Sequence, residues 1–194
     1  SDSLTENFLE AEHKGSVTTM TVYSKYLACI TSNNTLGLLD METGEYFTLV
    51  RGYEYLKGFY LSPAYLATVH DLSLKVWDAS NLEELYEFET PEDSATCVGI
   101  GGELASGFSS GFVRVFDLEK VNLVSEDRVH DCGVEQILLS PKLLVCLGED
   151  GNCVLCDATK GFQPVKNLEI EVPGPKVCAS LNEKYLALIG PYGT

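Results

Sequence analysis

Short apolar runs alternate with turn-forming residues along the whole chain, and the runs recur with one period. One series closes on an aspartate: Leu36-Gly37-Leu38-Leu39-Asp40, Leu74-Lys75-Val76-Trp77-Asp78, Val113-Arg114-Val115-Phe116-Asp117 and Val154-Leu155-Cys156-Asp157. A second series, centred on Leu27, Leu66, Leu104, Leu144 and Leu186, keeps nearly the same interval in runs such as Tyr26-Leu27-Ala28-Cys29-Ile30. Between the two series stand Asn33-Asn34, His70-Asp71, Ser110-Gly111 and Asp150-Gly151. Such pairs accept the positive φ of a tight two-residue hairpin, so they are expected to join a second strand to a third.

Further strands are expected ahead of each second one, at 17–22, 55–61, 95–100, 134–139 and 177–181, and weaker fourth strands at 46–50, 85–88 and 123–124. Leu61-Ser62-Pro63 and Leu139-Ser140-Pro141 end two of the first strands, two periods apart. A repeat of about 40 residues built from four strands, with an aromatic-Asp ending, predicts an all-β propeller of four-stranded blades. The expected blades are 13–50, 51–90, 91–127 and 128–170, with half a blade at 171–194. Seven such blades need about 280 residues, so the 194 residues are expected to be part of a larger propeller. A closed ring of four or five blades is the alternative. The stretch from Glu83 to Asp93, rich in glutamate, reads as an acidic edge and turn.

Composition narrows the function. With 45% apolar and 10% aromatic residues the chain reads as an ordinary globular protein. Thirteen basic against 29 acidic residues give a net charge of -16, which repels phosphate backbones and anionic lipid and sets nucleic acid and membrane aside as partners. The start, Ser1 to Glu12, has no apolar segment resembling a signal peptide, and a cytoplasmic location is expected. The seven cysteines are odd in number and spread over the strands, so they are read as reduced thiols serving mostly as small core residues.

The aspartate-ended strands resemble the WD-repeat (WD40) family, and His13 stands as far ahead of Asp40 as His130 does of Asp157. The resemblance implies a network inside each blade, from a loop His to a hairpin Asp and to a third-strand Trp. Its residues here are His13, Asp40, Asp71, Trp77, Asp78, Asp117, His130, Asp150 and Asp157, all expected to be structural. No blade has the full set: Tyr53 stands at the His position of the second, Phe116 and Cys156 at the Trp position of the third and fourth. A diverged propeller resting on apolar packing is expected. Gly107-Phe108-Ser109-Ser110-Gly111, Val113-Arg114, Phe116, Leu118-Glu119, His130, Gly133-Val134, Leu186-Ala187 and Gly190-Pro191 are further similar to large centriolar and ciliary WD-repeat proteins. That likeness implies microtubule-associated axoneme or centriole architecture.

Three motifs invite catalysis and are weighed against it. Gly107-Phe108-Ser109-Ser110-Gly111 fits a nucleophile elbow, but an extended apolar run follows it where a helix is required. Cys153-Val154-Leu155-Cys156 spells C-x-x-C, yet strand positions three apart face opposite ways. His70-Asp71 occupies a hairpin position, and Asn33-Asn34-Thr35, a glycosylation sequon, is assigned to structure as well. The expectation is a non-catalytic protein-interaction scaffold with no cofactor and no metal, its partners being proteins with basic segments that dock on an acidic rim. Tyr53, Tyr55 and Phe108 are candidate partner anchors, with core packing as the alternative for each. A generic scaffold of signalling, trafficking or ubiquitin-linked complexes is the second reading, and a propeller enzyme with a central acidic site the third.

Overall fold

The computed structural model describes residues 16–50, 56–168, 178–181 and 186–189. They form strands β1 (Val17–Tyr23), β2 (Tyr26–Thr31), β3 (Leu36–Asp40), β4 (Tyr46–Val50), β5 (Leu56–Leu61), β6 (Tyr65–His70), β7 (Ser73–Asp78), β8 (Glu84–Glu89), β9 (Ala95–Ile100), β10 (Leu104–Phe108), β11 (Phe112–Asp117), β12 (Asn122–Arg128), β13 (Val134–Leu139), β14 (Leu143–Gly148), β15 (Cys153–Asp157), β16 (Gln163–Leu168), β17 (Cys178–Leu181) and β18 (Leu186–Ile189). Consecutive strands pair into four four-stranded sheets and one two-stranded sheet, with antiparallel ladders. The architecture is the all-β, WD40-type propeller arrangement read from the repeat.

Two compact units divide the chain, residues 1–56 and 57–194. In the first, the β1–β4 sheet buries Ala28, Ile30, Leu36 and Leu38 along its two central strands, and Lys25 pairs with Asp40 at 2.6 Å across the ends of β2 and β3. In the second, the sheets stack face to face. Inner strand β9 contacts both β6 and β13, and β13 also contacts β17. One core, with Val69, Leu74, Val76, Val98, Leu104, Phe108 and Phe116, fills the space between the β5–β8 and β9–β12 sheets. The next, with Ala105, Val115, Val134, Ile137, Cys146 and Cys156, joins β9–β12 to β13–β16. Each fully buried Leu or Phe in these layers contributes about 1.5–3 kcal/mol.

Glycine sets the spacing between two of these sheets. A Cβ at Gly107 would lie 2.6 Å from Val134 Cγ1, and one at Gly99 would lie 3.1 Å from Ile137 Cγ2. The outer strands are edges with polar or interrupted sequences: β8 carries Glu84, Glu87 and Glu89, β12 carries Glu126, Asp127 and Arg128, and β16 includes Pro164. Charge and proline on an edge discourage pairing with another chain.

Three of the four hairpins between second and third strands are longer than the two residues expected, while only Asp71 and Leu72 stand between β6 and β7. Their ladders close at Ile30–Leu36, Val69–Leu74, Gly107–Val113 and Leu147–Cys153. Positive φ falls at Asn34 (55°), Gly111 (86°) and Gly151 (83°), each donating its N–H back to the residue three before it. A turn that ends in one left-handed residue uses the same Asn and Gly signals but spans more chain. A Cβ at Gly111 would meet the His130 carbonyl oxygen at 2.1 Å, so this hairpin is clasped by the loop that leads into β13.

Candidate functional site

The four recurring aspartates perform one local task. Each ends a third strand and folds its carboxylate back over the following turn. Asp40 Oδ1 accepts from the N–H of Glu42 at 2.9 Å and of Thr43 at 3.2 Å. Asp78 Oδ1 accepts from Ser80 N at 2.7 Å, Asp117 Oδ1 from Glu119 N and Lys120 N at 2.9 Å each, and Asp157 Oδ1 from Thr159 N at 2.9 Å. Bonds to the charged form hold all four carboxyls below the ordinary range; the largest contributor is the side chain of Lys25, Ser80, Lys120 and Thr159 respectively. Four residues after each aspartate the backbone turns left-handed, at Gly44 (76°), Leu82 (62°), Val121 (52°) and Gly161 (71°).

Register aligns a second set of positions across the sheets. Two places beyond the recurring leucine of each second strand stand Cys29, Thr68, Ser106 and Cys146, and the residue before each strand-ending aspartate is Leu39, Trp77, Phe116 or Cys156. In the β5–β8 sheet these make a relay: Trp77 Nε1 donates to Thr68 Oγ1 at 3.1 Å, and Thr68 Oγ1 lies 2.9 Å from His70 Nε2. The imidazole comes from the end of the second strand itself. Asp71, which the resemblance places in this network, lies beyond the strand end and pairs with Lys57 at 2.8 Å. Sequence reading missed Thr68 and His70 as partners, although an alternating strand puts them on one face with period two.

In the β13–β16 sheet the histidine arrives from the preceding loop. His130 Nε2 is 3.1 Å from the Cys146 carbonyl oxygen, and the ring is buried. Position 148, which corresponds to His70, is glycine, and a Cβ there would sit 2.7 Å from His130 Nδ1. The imidazole thus occupies the space a side chain at 148 would need. Asp150, in the hairpin, accepts from Asn152 N at 3.0 Å and Asn152 Nδ2 at 2.8 Å. Burial pushes its carboxyl up, but the bonds from Asn152 and Cys132 and the nearby His130 together hold it below the ordinary range. Cys132 stands beside this pair, an association that nothing in the sequence spacing announced.

Cys153 and Cys156 face different cores, as the strand geometry required: Cys153 packs with Val145 and Leu147, Cys156 with Cys146 and Val154. Burial pushes the thiols of Cys97 and Cys153 up to about 11. A hydrogen bond to Cys156, together with burial, holds Cys146 well above the ordinary value. Protonated thiols of this kind are poor nucleophiles at neutral pH. The segment fitting the nucleophile-elbow pattern runs from β10 through a hairpin into β11; Ser109 Oγ donates to Asp93 Oδ1 at 3.1 Å and Ser110 Oγ bonds Asp93 Oδ2.

Of the candidate partner anchors, Tyr53 and Tyr55 lie outside the described residues, as does the structural candidate His13. Phe108 is fully buried, with Arg114 stacked over its ring 4.3 Å from the centroid. Phe108 therefore takes the core role that was its alternative, because it occupies the strand-end position held by His70 in the neighbouring sheet. A cleft of about 300 Å³ is lined by Glu89, Thr90, Pro91, Glu92, Arg114, Phe116 and Leu123. Arg114 also pairs with Glu126, so the cleft presents a neutralised cation under an acidic lip.

Four-stranded antiparallel sheets whose third strands end in a turn-capping aspartate define a WD40-type β-propeller. Within that class, the chain is similar to the protein named WD repeat-containing protein 90. It is 35% identical to the one from Xenopus tropicalis over 144 residues, covering 69% of this chain, and 33% identical to the one from Homo sapiens over 149 residues, again 69% of this chain. It is also 33% identical over 187 residues, 90% of its length, to centriole proteome protein 16 of Chlamydomonas reinhardtii. The chain spans only 8% of the first two relatives and 9% of the third. No family model matches it. Among solved structures, the computationally designed protein Ika8 aligns with a TM-score of 0.73 at 16% identity, over 92% of this chain and 56% of that one. A chain of a mitotic checkpoint complex aligns with a TM-score of 0.73 at 15% identity, over 85% and 53%. No helix among the described residues is long and apolar enough to cross a membrane.

Proposed function

We propose that this chain is a non-catalytic protein-interaction scaffold, one part of the propeller array of a larger centriolar or ciliary protein associated with microtubules. The observation that carries the reading is the similarity to centriole proteome protein 16 over 90% of the chain. The chemistry is consistent with it. The aspartates cap turns, the thiols of half-buried Cys97 and of buried Cys146 and Cys153 are held protonated, and the hairpin serines bond a neighbouring aspartate. A net charge of -16 favours partners with basic segments, docking on the polar outer strands and loops. The blades are taken as 13–50, 51–90, 91–127 and 128–170 with the half blade 171–194, the whole forming part of a larger ring. The structural roles of Asp40, Asp78, Asp117, Asp157, Trp77, His130 and Asp150 belong to the same reading.

The test is proximity labelling with the tagged protein expressed in ciliated cells. Enrichment of axonemal or centriolar proteins is expected, and pull-down of those partners should weaken at elevated salt. Labelling that yields a different compartment removes the location. Detection of substrate turnover that survives purification and depends on a named side chain removes the scaffold role.

A further inference from the structure

The loop before β13 and the hairpin after β14 bring three side chains of different chemistry to one point. A ring nitrogen of His130, the Cys132 Sγ and a carboxylate oxygen of Asp150 all lie within 4.8 Å of one another. A Cβ built on Gly148 would be 2.6 Å from Asp150 Oδ1, 2.7 Å from His130 Nδ1 and 3.1 Å from Cys132 Sγ. The three atoms therefore converge on Gly148, and only the lack of a side chain there lets them come this close together. We propose that this is a binding site for a divalent transition ion of the Zn²⁺ type, held by His130 Nδ1, Cys132 Sγ and Asp150, with the fourth position open to solvent.

The donor set selects the ion. Imidazole and thiolate favour zinc-like ions over Mg²⁺ and Ca²⁺, which take oxygen ligands. Ligands about 2.1–2.3 Å from a tetrahedral ion stand about 3.6 Å apart, so a spacing within 4.8 Å needs a contraction of about 1.2 Å at most. Asp150 is exposed and Cys132 half-buried, both on connecting segments, so they can supply that movement while the buried ring stays fixed.

The ring is already oriented for the task. A carbonyl oxygen can only accept, so the 3.1 Å contact with Cys146 O puts the proton of neutral His130 on Nε2 and leaves the Nδ1 lone pair facing Cys132 and Asp150. A backbone carbonyl holding the second nitrogen is the usual support of a metal-bound histidine. Asn152 supports Asp150 in the same way through two bonds. The neighbouring β9–β12 sheet supplies the contrast: there the corresponding loop-to-hairpin contact joins Asp93 to Ser109 and Ser110, oxygen groups alone. Binding would form one sulfur–metal bond and release the Cys132 thiol proton to solvent, with no change of oxidation state.

The 194-residue chain, purified in chelator and returned to neutral buffer, would be titrated with Co²⁺ and then with Zn²⁺. One Co²⁺ per chain, a thiolate-to-cobalt charge-transfer band, release of one proton per ion and displacement by Zn²⁺ are expected. Cys132→Ser should abolish the band and the proton release and weaken binding at least about tenfold, while Cys153→Ser leaves all three unchanged. Unfolding of Cys132→Ser in chelator should match the parent, which separates ligand loss from misfolding. Absence of the band at one equivalent, or a Cys132→Ser variant that binds as the parent does, overturns the site.

Discussion

The β5–β8 and β13–β16 sheets place an imidazole beside the same second-strand position by different routes. His70 extends from the end of its own strand to the Thr68 hydroxyl, whereas His130 comes in from a loop to the Cys146 carbonyl, and Thr68 and Cys146 are register equivalents. In the first case the bond depends on a side chain and continues to Trp77; in the second it depends on backbone and needs glycine at 148. The lesson is that the space is fixed by the fold while its filling is negotiable. The β9–β12 sheet fills it with Phe108, with no histidine at all.

The sharpest way to break the comparison is Gly148→Ala. The new Cβ would meet His130 Nδ1 and Asp150 Oδ1 well inside contact distance, and expelling a buried ring while overpacking the site should cost about 2–4 kcal/mol. Denaturant unfolding measures it. His130→Ala is expected to be destabilising alone, yet to relieve part of the Gly148→Ala penalty when combined. Strict additivity of the two would show that the ring is not what the methyl displaces.

A smaller effect separates side-chain from backbone dependence. Thr68→Val leaves the Trp77 N–H and the His70 Nε2 without their shared hydroxyl at a fully buried position and should cost about 1–3 kcal/mol. Cys146→Ala keeps the carbonyl that binds His130 and should cost about 1 kcal/mol, from lost packing and the lost thiol contact with Cys156. Equal penalties in thermal or denaturant unfolding would sink the distinction.

These contrasts also show what the sequence could and could not say. The strand positions were legible because apolar runs with period two recur along the chain at one interval; β9 and β13 fall on the bounds expected for them. β16 was not anticipated, since Gln163-Pro164-Val165-Lys166-Asn167-Leu168 lacks alternation and is held as a strand by pairing with β15. Three hairpins read as two residues proved longer because Asn and Gly signal the left-handed residue and not the length of the turn around it. At the candidate site, His130 and Asp150 were legible from their spacing. Cys132 and Gly148 were not, because their roles exist only after loop and hairpin are folded together. Thr68 escaped notice for a related reason: its partner Trp77 sits across a hairpin.

The turns after the third strands give a finer comparison, two with glycine at the left-handed position and two without. Val121 is β-branched, exposed and held at a φ of 52°, a conformation that costs a non-glycine residue about 1–2 kcal/mol. Val121→Gly should therefore stabilise by about 1 kcal/mol after the added freedom of the unfolded chain is subtracted. Gly161→Val at the equivalent turn should destabilise, although nothing stands within 4 Å of its Cβ position. If both changes move the unfolding midpoint in the same direction, the turns are not equivalent.

The smallest expected effect concerns the aspartates that cap those turns. Their carboxyls titrate below the unfolded value of about 3.9, so each contributes stability that is complete above that value and is lost as pH falls through the lower, folded one. An asparagine still offers an oxygen to the turn N–H groups but binds no proton. Asp157→Asn should therefore leave stability near neutral pH almost unchanged, since Thr159 N keeps an acceptor, and make the decline below about pH 4 shallower. Asp78→Asn, with Ser80 as its partner, should act in the same direction, because the same turn is built on the same bond. Unfolding midpoints compared at neutral pH and about pH 3 decide it. An unchanged acid slope in both variants would mean that the repeated aspartate is held by its turn without being linked to it through protons.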